Sequence, residues 1–289
     1  MSAEVEVLHP GLFTSIQDGG RYGFMQYGVP VSGAMDSFSS KMANLLLNNP
    51  EDAAVMEITQ MGPKLRFSAA TAIAITGAVL SPEVNGKPVE NNHVIDINAG
   101  DVLQFGRRIL GCRAYLAVRG GFQTPEVLKS RSFYEGITSV YRLVKGMKLP
   151  YDAEASGELV NSYAAIKQGE HLSAVKVEVL PGPEFDRLIS SEAEKLKNSE
   201  FTLSKYSDRM GFQLSEVFPN NLEAILTSPV LPGTVQLTPS GKLIVLMRDG
   251  QTTGGYPRIL QLTERGINII AQRIPGEKFQ FGIKNEVLS

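Results

Sequence analysis

The stretch Asp249-Gly250-Gln251-Thr252-Thr253-Gly254-Gly255-Tyr256-Pro257 brings a carboxylate, an amide, three hydroxyls and two adjacent glycines together, directly after the apolar run Leu243-Ile244-Val245-Leu246-Met247. That run is rich in β-branched side chains and reads as a buried strand, so the polar groups fall where a strand ends. Glycine lets other groups approach the backbone closely, and hydroxyls and a carboxylate can grip a polar ligand. A tight turn that satisfies its own hydrogen bonds would use the same residue types. Three further stretches carry comparable chemistry. Gly11 to Gly23 places Gln17, Asp18 and Arg21 within a few residues, an irregular course through Ser32-Gly33-Ala34-Met35 leads to Asp36, and Ser207-Asp208-Arg209-Met210-Gly211 sets another carboxylate beside another guanidinium. Asp18 with Arg21 is either a surface ion pair of little energy or an anion clamp, because the planar fork of arginine suits carboxylate and phosphate. Asp208 with Arg209 is open to the same two readings.

Other chemistries are disfavoured. Lysine and arginine number 28 against 30 acids, for a formal charge of −2, and neither sign forms a long block. Nothing therefore advertises a nucleic-acid surface, and the partner expected is a protein or a small molecule. The start Met1-Ser2-Ala3-Glu4 lacks the pattern of a signal peptide, and no apolar run reaches the roughly 18 residues needed to span a membrane, so a cytoplasmic protein is expected. Cys112 is the sole cysteine, which excludes an internal disulfide and makes it most simply a small core residue. His9, His93 and His171 are far apart and share no ligand spacing, so no metal site is expected. No phosphate-cradling glycine loop of the common kinds occurs. Glu57, between Val55, Met56 and Ile58, either faces solvent or is a site carboxylate.

The elements that would carry these groups are mostly strands. Val5 to Leu8 alternates, and Ala53 to Thr59, Ala70 to Thr76, Val94 to Ile97, Val102 to Phe105 and Arg113 to Val118 read as strands separated by turn chemistry, with Asn85-Gly86 a hairpin signal. A helix is expected from an Asp36 N-cap to Asn48-Asn49-Pro50, with Phe38, Met42, Leu45 and Leu46 as its core stripe. A second is expected from Pro183 or Glu184 to Lys197, burying Phe185, Leu188, Ile189, Ala193 and Leu196. Residues 151–174 turn small and polar and read as a linker between halves at 1–150 and 175–289. Three echoes cross that linker at an offset of about 175 positions: Val5-Glu6-Val7-Leu8 with Val177-Glu178-Val179-Leu180, Ser32-Gly33-Ala34-Met35 with Ser207-Asp208-Arg209-Met210, and Gly100 to Gly106 with Gly276 to Gly282. The chain thus reads as two copies of one β-rich unit, each a barrel or rolled sheet.

The motifs Gly11-Leu12-Phe13-Thr14-Ser15-Ile16-Gln17-Asp18-Gly19-Gly20-Arg21, Gly28 to Asp36, Ala43-Asn44-Leu45-Leu46, Ile75-Thr76-Gly77-Ala78, Ser207 to Gly211 and Gln251 to Pro257 resemble those of the biotin-dependent carboxyltransferase subunit family. That family is also called KipA or allophanate hydrolase subunit 2, and it includes the C-type subunit of 5-oxoprolinase. The resemblance implies a mainly β protein with a few short helices, built as two pseudo-repeated cyclophilin-like β-barrel halves. It also implies an ATP-dependent 5-oxoprolinase that opens a cyclic amide to glutamate together with two partner proteins, one KipI-like (the B-type) and one LamB/YcsF-like (the A-type). ATP would be bound by this chain, by a partner or at their interface, and no biotin-attachment segment is present. Within the matched motifs, Asp18, Asp36, Asp208 and Asp249 become the candidate catalytic carboxylates, and Arg21 and Arg209 candidate anion holders. Gln17, Ser32, Gln236, Thr252, Thr253, Gly254, Gly255 and Tyr256 become candidate substrate contacts. A carboxyltransferase acting on urea-like amides, and a regulatory protein that binds a KipI-type kinase inhibitor, are the alternatives.

Overall fold

The computed structural model describes residues 3–152 and 165–284, in two compact units. One comprises 1–21 with 32–172, the other 22–31 with 173–289. The first unit contains β1 (Ala3–His9), β2 (Phe13–Gln17), α1 (Ser37–Leu46), β3 (Val55–Thr59), β4 (Lys64–Phe67), β5 (Thr71–Val79), β6 (Pro82–Val84), β7 (Lys87–Pro88), β8 (Val94–Ile97), β9 (Val102–Phe105), β10 (Leu110–Val118) and β11 (Lys148–Tyr151). These make a six-stranded sheet, β11-β1-β4-β9-β6-β7, and a five-stranded sheet, β2-β3-β10-β5-β8. Val5, Val7, Leu65, Phe67 and Leu103 from the first meet Ile16, Met56, Ile58, Ile73, Ile75 and Leu116 from the second in one buried core.

The five-stranded sheet is covered on both faces. Its other side packs Val55, Ala72, Ala74, Tyr115 and Ala117 against Ala43, Leu46 and Leu47 at α1. The face that α1 buries carries Ser39, Ser40, Ala43, Asn44 and Leu46, while Phe38 and Leu45, expected in the core stripe, are exposed. Small side chains win because the helix sits close on the sheet: a Cβ on Gly77 would lie 3.3 Å from the Ser39 Cβ and 2.6 Å from the Arg113 carbonyl oxygen. Gly77, at φ 76°, marks the bulge where the β5–β10 register shifts.

The second unit contains β12 (Lys176–Pro181), α2 (Ser190–Asn198), β13 (Glu200–Ser207), β14 (Gly211–Val217), β15 (Ser228–Pro229), β16 (Thr234–Leu237), β17 (Lys242–Leu246), β18 (Thr253–Gly254), β19 (Arg258–Leu262), α3 (Glu264–Ala271) and β20 (Lys278–Ile283). Seven of these strands close a barrel in the order β12-β19-β16-β17-β14-β13-β20, sealed by a parallel pairing of β20 with β12. Its buried residues include Val177, Val179, Leu203, Phe212, Val235 and Val245, with Phe201, Phe279 and Phe281 packed tilted or edge-on at centroid distances of 5.0 to 6.3 Å. The helix read over 183–197 is shorter: a 3-10 turn at Phe185–Arg187 and then α2, with Leu188 and Ile189 extended between them. The Glu184 carboxylate, ahead of the 3-10 turn, accepts from the Arg258 side chain and backbone amide. Helix α3 was not read from the sequence, although Thr263 caps it by accepting from the Gly266 amide at 3.1 Å.

The linker region resolves differently from its reading. Tyr151 pairs with Ala3 in β11, residues 165–172 belong to the first unit, and 22–31 group with the second; the intervening 153–164 lie outside the described residues. The echo at Gly100 and Gly276 has a structural basis. Gly100 donates to the Phe67 carbonyl (2.7 Å) and the Asp101 carbonyl accepts from the Phe67 amide (3.0 Å); Gly276 and Glu277 do the same with Leu203 (2.8 and 3.1 Å). The echo at Ser32 and Ser207 has none, because Ser32 lies in a turn that leads to a helix and Ser207 ends a strand in a hairpin. Among the described residues no helix is long and apolar enough to cross a membrane.

Gly276 has φ 90° and open space around its missing Cβ. The cost of Gly276→Ala is therefore backbone strain alone, about 1–2 kcal/mol of unfolding free energy, to be measured by urea denaturation; an unchanged midpoint would refute the assignment.

Candidate functional site

In the first unit the Gln17 to Arg21 stretch serves the fold. Gln17 is fully buried and donates to Ser15 Oγ and the Phe133 carbonyl. Asp18 accepts from the Gly20 amide and from Ser130 and Ser132 hydroxyls through Oδ1, and from the Arg131 amide through Oδ2. Arg21, 0% exposed, donates to the carbonyls of Val127 and Ser132 at 3.1 and 2.8 Å. A guanidinium so enclosed is no surface anion clamp, and it pairs a loop, not Asp18. The two side chains bind residues 127–132 from either side of the Gly19-Gly20 turn.

Ser32 and Asp36 lie in a second buried network. Ser32 has φ 56°, unusual for a non-glycine residue, and its hydroxyl is buried without a partner among the described residues. Gly33 packs 3.1 Å from the Asp18 carbonyl oxygen and the Gly20 backbone, measured from where a Cβ would be, and Ala34 donates to that carbonyl. The turn is fastened on its other side by Glu57 and Tyr115, which face each other across β3 and β10. Glu57 Oε2 accepts from the Met35 amide at 2.8 Å and from the Tyr115 hydroxyl at 2.9 Å, while that hydroxyl accepts from the Asp36 amide at 2.7 Å. Glu57 is 1% exposed and does not face solvent, because α1 and this turn cover that side of the sheet. Burial first, then the nearby Glu57 and Asp36 charges, hold the Tyr115 hydroxyl well above its usual pKa, so it stays a proton donor.

Asp36 caps α1 through Oδ1 to the Ser39 amide, and its Oδ2 takes the Ser39 hydroxyl at 2.6 Å and His171 Nε2 at 2.7 Å. His171, read from the sequence as isolated, is buried, and Phe38 packs edge-on against its ring at 5.2 Å. The separation of 135 positions left no local signal for this pair.

In the second unit Arg209 and Asp249 form a single object. Nε meets Oδ2 at 2.7 Å and Nη2 meets Oδ1 at 3.1 Å, with both residues buried. Asp249 N donates to the Arg209 carbonyl, and Met247 N to that of Met210, so the turn before β14 is stapled to the loop after β17. Each is engaged by the other through two bonds of the guanidinium fork. Asp208 folds its own turn, accepting from Met210 and Gly211 amides. Arg248 pairs with Glu264.

From this anchor the 249–257 loop runs back along the barrel. Thr253 and Gly254 pair with Ser228 and Pro229, and the carbonyls of Thr252 and Gly255 accept from Val230 and Ile225 amides. Thr252 is buried, Gly255 partly so, and Thr253 and Tyr256 are exposed. Gln236, on β16, is buried against Gly254. Of the expected site residues, the structure thus brings Arg209, Asp249, Gln236 and Thr252 to Tyr256 onto neighbouring backbone in one unit. Asp36 and Ser32 belong to the other, and Gln17, Asp18 and Arg21 are withdrawn into loop packing.

Residues 27–283 match the family described as carboxyltransferase domain, subdomain A and B. The chain belongs to that family. It is 34% identical over 283 residues to the C-type subunit of 5-oxoprolinase from Escherichia coli, covering 96% of this chain and 90% of the relative. Among solved structures, a crystal structure of TTHA0988 superposes with a TM-score of 0.87 at 28% identity, covering 97% of this chain and 56% of that one. The K. lactis urea amidolyase superposes with a TM-score of 0.83 at 29% identity, covering 96% of this chain and 18% of that one. This chain therefore spans little more than half of the first structure and under a fifth of the second. The matched range contains Ser32, Asp36, the Arg209–Asp249 pair and the 249–257 loop, while Gln17, Asp18 and Arg21 precede it.

Two outcomes are expected. Asp249→Ala or Arg209→Leu breaks a buried two-pronged ion pair and costs about 3–5 kcal/mol, whereas the joint Asp249→Leu, Arg209→Met variant costs less than either; a chemical-denaturation double-mutant cycle that returns simple additivity contradicts the pair. Glu184 is the second case, because the bonds from Arg258 hold its carboxyl below the usual range. Its stabilisation is full above about pH 4.3 and is lost as pH falls through the lower folded value. Glu184→Gln should lose most relative to wild type at neutral pH and converge with it in acid.

Proposed function

We propose that this chain is a C-type subunit of an ATP-dependent 5-oxoprolinase, working with a KipI-like partner and a LamB/YcsF-like partner and inactive alone. The end-to-end match to the Escherichia coli 5-oxoprolinase component carries this reading, since both chains are covered almost completely. A lactam is an unactivated amide, and coupling to ATP supplies a phosphorylated oxygen that leaves more readily. This chain's own residues would bind and orient the ring: the Thr253 and Tyr256 hydroxyls at the surface of the 249–257 loop contact substrate, while the Arg209–Asp249 pair fixes where that loop begins.

ATP fits poorly on the described helix ends. The N-terminus of α1 is filled by the carboxylate of Asp36 and that of α2 carries the carboxylate of Glu192, both of which would repel a phosphate, while Thr263 caps α3. We therefore assign the nucleotide to a partner protein or to an interface with it. Urea-type carboxyl transfer is the second reading, favoured by the fold shared with K. lactis urea amidolyase.

The test is glutamate release from 5-oxoproline with ATP, using this chain alone, with the KipI-like partner, and with both partners. Turnover is expected only in the full mixture, and Tyr256→Phe and Thr253→Ala, both at exposed positions, should lower it by about tenfold to a hundredfold without loss of complex formation. Turnover without this chain, or variants indistinguishable from wild type, would sink the assignment.

A further inference from the structure

The turn at Pro10-Gly11 and the segment 142–145 border an open groove of about 320 Å³ in the first unit, lined by residues 10–14 and 142–145. Its walls are fastened to the sheets beneath. Thr14 Oγ1 donates to the Pro10 carbonyl at 2.7 Å, the Thr14 carbonyl accepts from the Leu143 amide at 2.8 Å, and the Gly146 amide donates to the Val7 carbonyl at 2.8 Å. Leu143 is anchored in the core, while Arg142, Val144 and Lys145 are exposed. Leu12 and Val144 are each 50% exposed on these walls, and Met61, whose carbonyl accepts from the Leu12 amide at 2.9 Å, is 59% exposed. Large apolar side chains presented together on fastened backbone mark a contact surface. The charges of the groove are of one sign. Arg142 and Lys145 line it, no acid does, and neither cation meets a carboxylate among the described residues. The Arg142 guanidinium lies over the Tyr141 ring, 5.4 Å from its centroid, which limits the freedom it would lose on binding an anion.

We propose that this groove docks a segment of a partner subunit in which an apolar side chain is flanked by carboxylates. The apolar side chain packs alongside Leu12 and Val144, and the carboxylates meet Arg142 and Lys145. That the chain has partner subunits rests on the function proposed above; the chemistry of the docked segment rests on the groove. A second copy of this chain is the poorer occupant, because a twofold pairing sets one pair of cations against another. Arg142 and Lys145 are docking residues and take no part in the reaction.

The experiment is calorimetric titration of the full chain with the KipI-like protein and with the LamB/YcsF-like protein, at low and at high salt. Wild type is expected to bind one of them, more weakly as salt rises. Arg142→Glu, Lys145→Glu and Val144→Asp, all at exposed positions, should each weaken that binding about tenfold or more and melt with wild type. Lys205→Glu, an exposed lysine of the second unit, should leave the affinity unchanged; an equal loss there reports general charge attraction and overturns the groove. Groove variants that bind as wild type overturn the docking site and leave the 5-oxoprolinase assignment standing if the full mixture releases glutamate. Binding lost in these variants, with no glutamate from the wild-type mixture, keeps the docking site and sinks that assignment. Wild type that binds neither protein overturns both. Sedimentation of the chain alone tests the other occupant: a dimer that Arg142→Glu dissociates gives the groove to a second copy and overturns the partner docking.

Discussion

The buried, two-pronged contact between Arg209 and Asp249 is the constraint on which the second unit's chemistry depends. Both groups have been taken from water, and an ion pair in that position is tolerable only when the fork of the guanidinium meets both carboxylate oxygens, as it does at 2.7 and 3.1 Å. Backbone bonds from Asp249 to Arg209 and from Met247 to Met210 run alongside it. Together they determine where the loop after β17 leaves the barrel, and so where Gln251, Thr253 and Tyr256 stand.

The first unit solves a related problem with a polar layer between a sheet and a helix. Glu57, Tyr115, Asp36, Ser39 and His171 are all buried, and each has hydrogen-bond partners in the network. Such a layer is costly if any member is unpaired, because the surrounding medium screens little. Its return is a fixed turn at residues 32–36 that holds Ser32 in a backbone conformation it would not choose alone. Small residues on α1 make this possible by letting the helix approach the sheet closely enough for the Asp36 cap to reach across.

Much of the fold was legible from local pattern. The strands at Val94–Ile97 and Val102–Phe105 fall where alternation and turn residues placed them, and Asp36 caps the helix it was expected to cap. The Gly100 and Gly276 echo reported a real repeated strand start, since each glycine supplies a positive φ and each following acid accepts a backbone amide. Reading failed where a long-range contact overrode local preference. The helix expected at 183–197 is interrupted by the extended residues Leu188 and Ile189, and the close approach of α1 exposed Phe38 and Leu45. Of the site residues, Asp18 and Arg21 find their partners among residues 127–132, more than a hundred positions away, where no local spacing could show them.

What the sequence by itself determined was the inventory: the mainly β character, the family motifs and the residue types concentrated at 207–211 and 249–257. Period and turn chemistry are local properties, and short motifs keep their order along the chain. Only the tertiary structure decided which carboxylate meets which cation. It joined Asp249 to Arg209 instead of Asp208, Asp36 to His171, Glu57 to Tyr115, and left the Gln236 amide nitrogen without a partner among the described residues. Ion pairs and buried hydrogen bonds are formed by register and packing between segments distant in sequence, and no spacing along the chain encodes them.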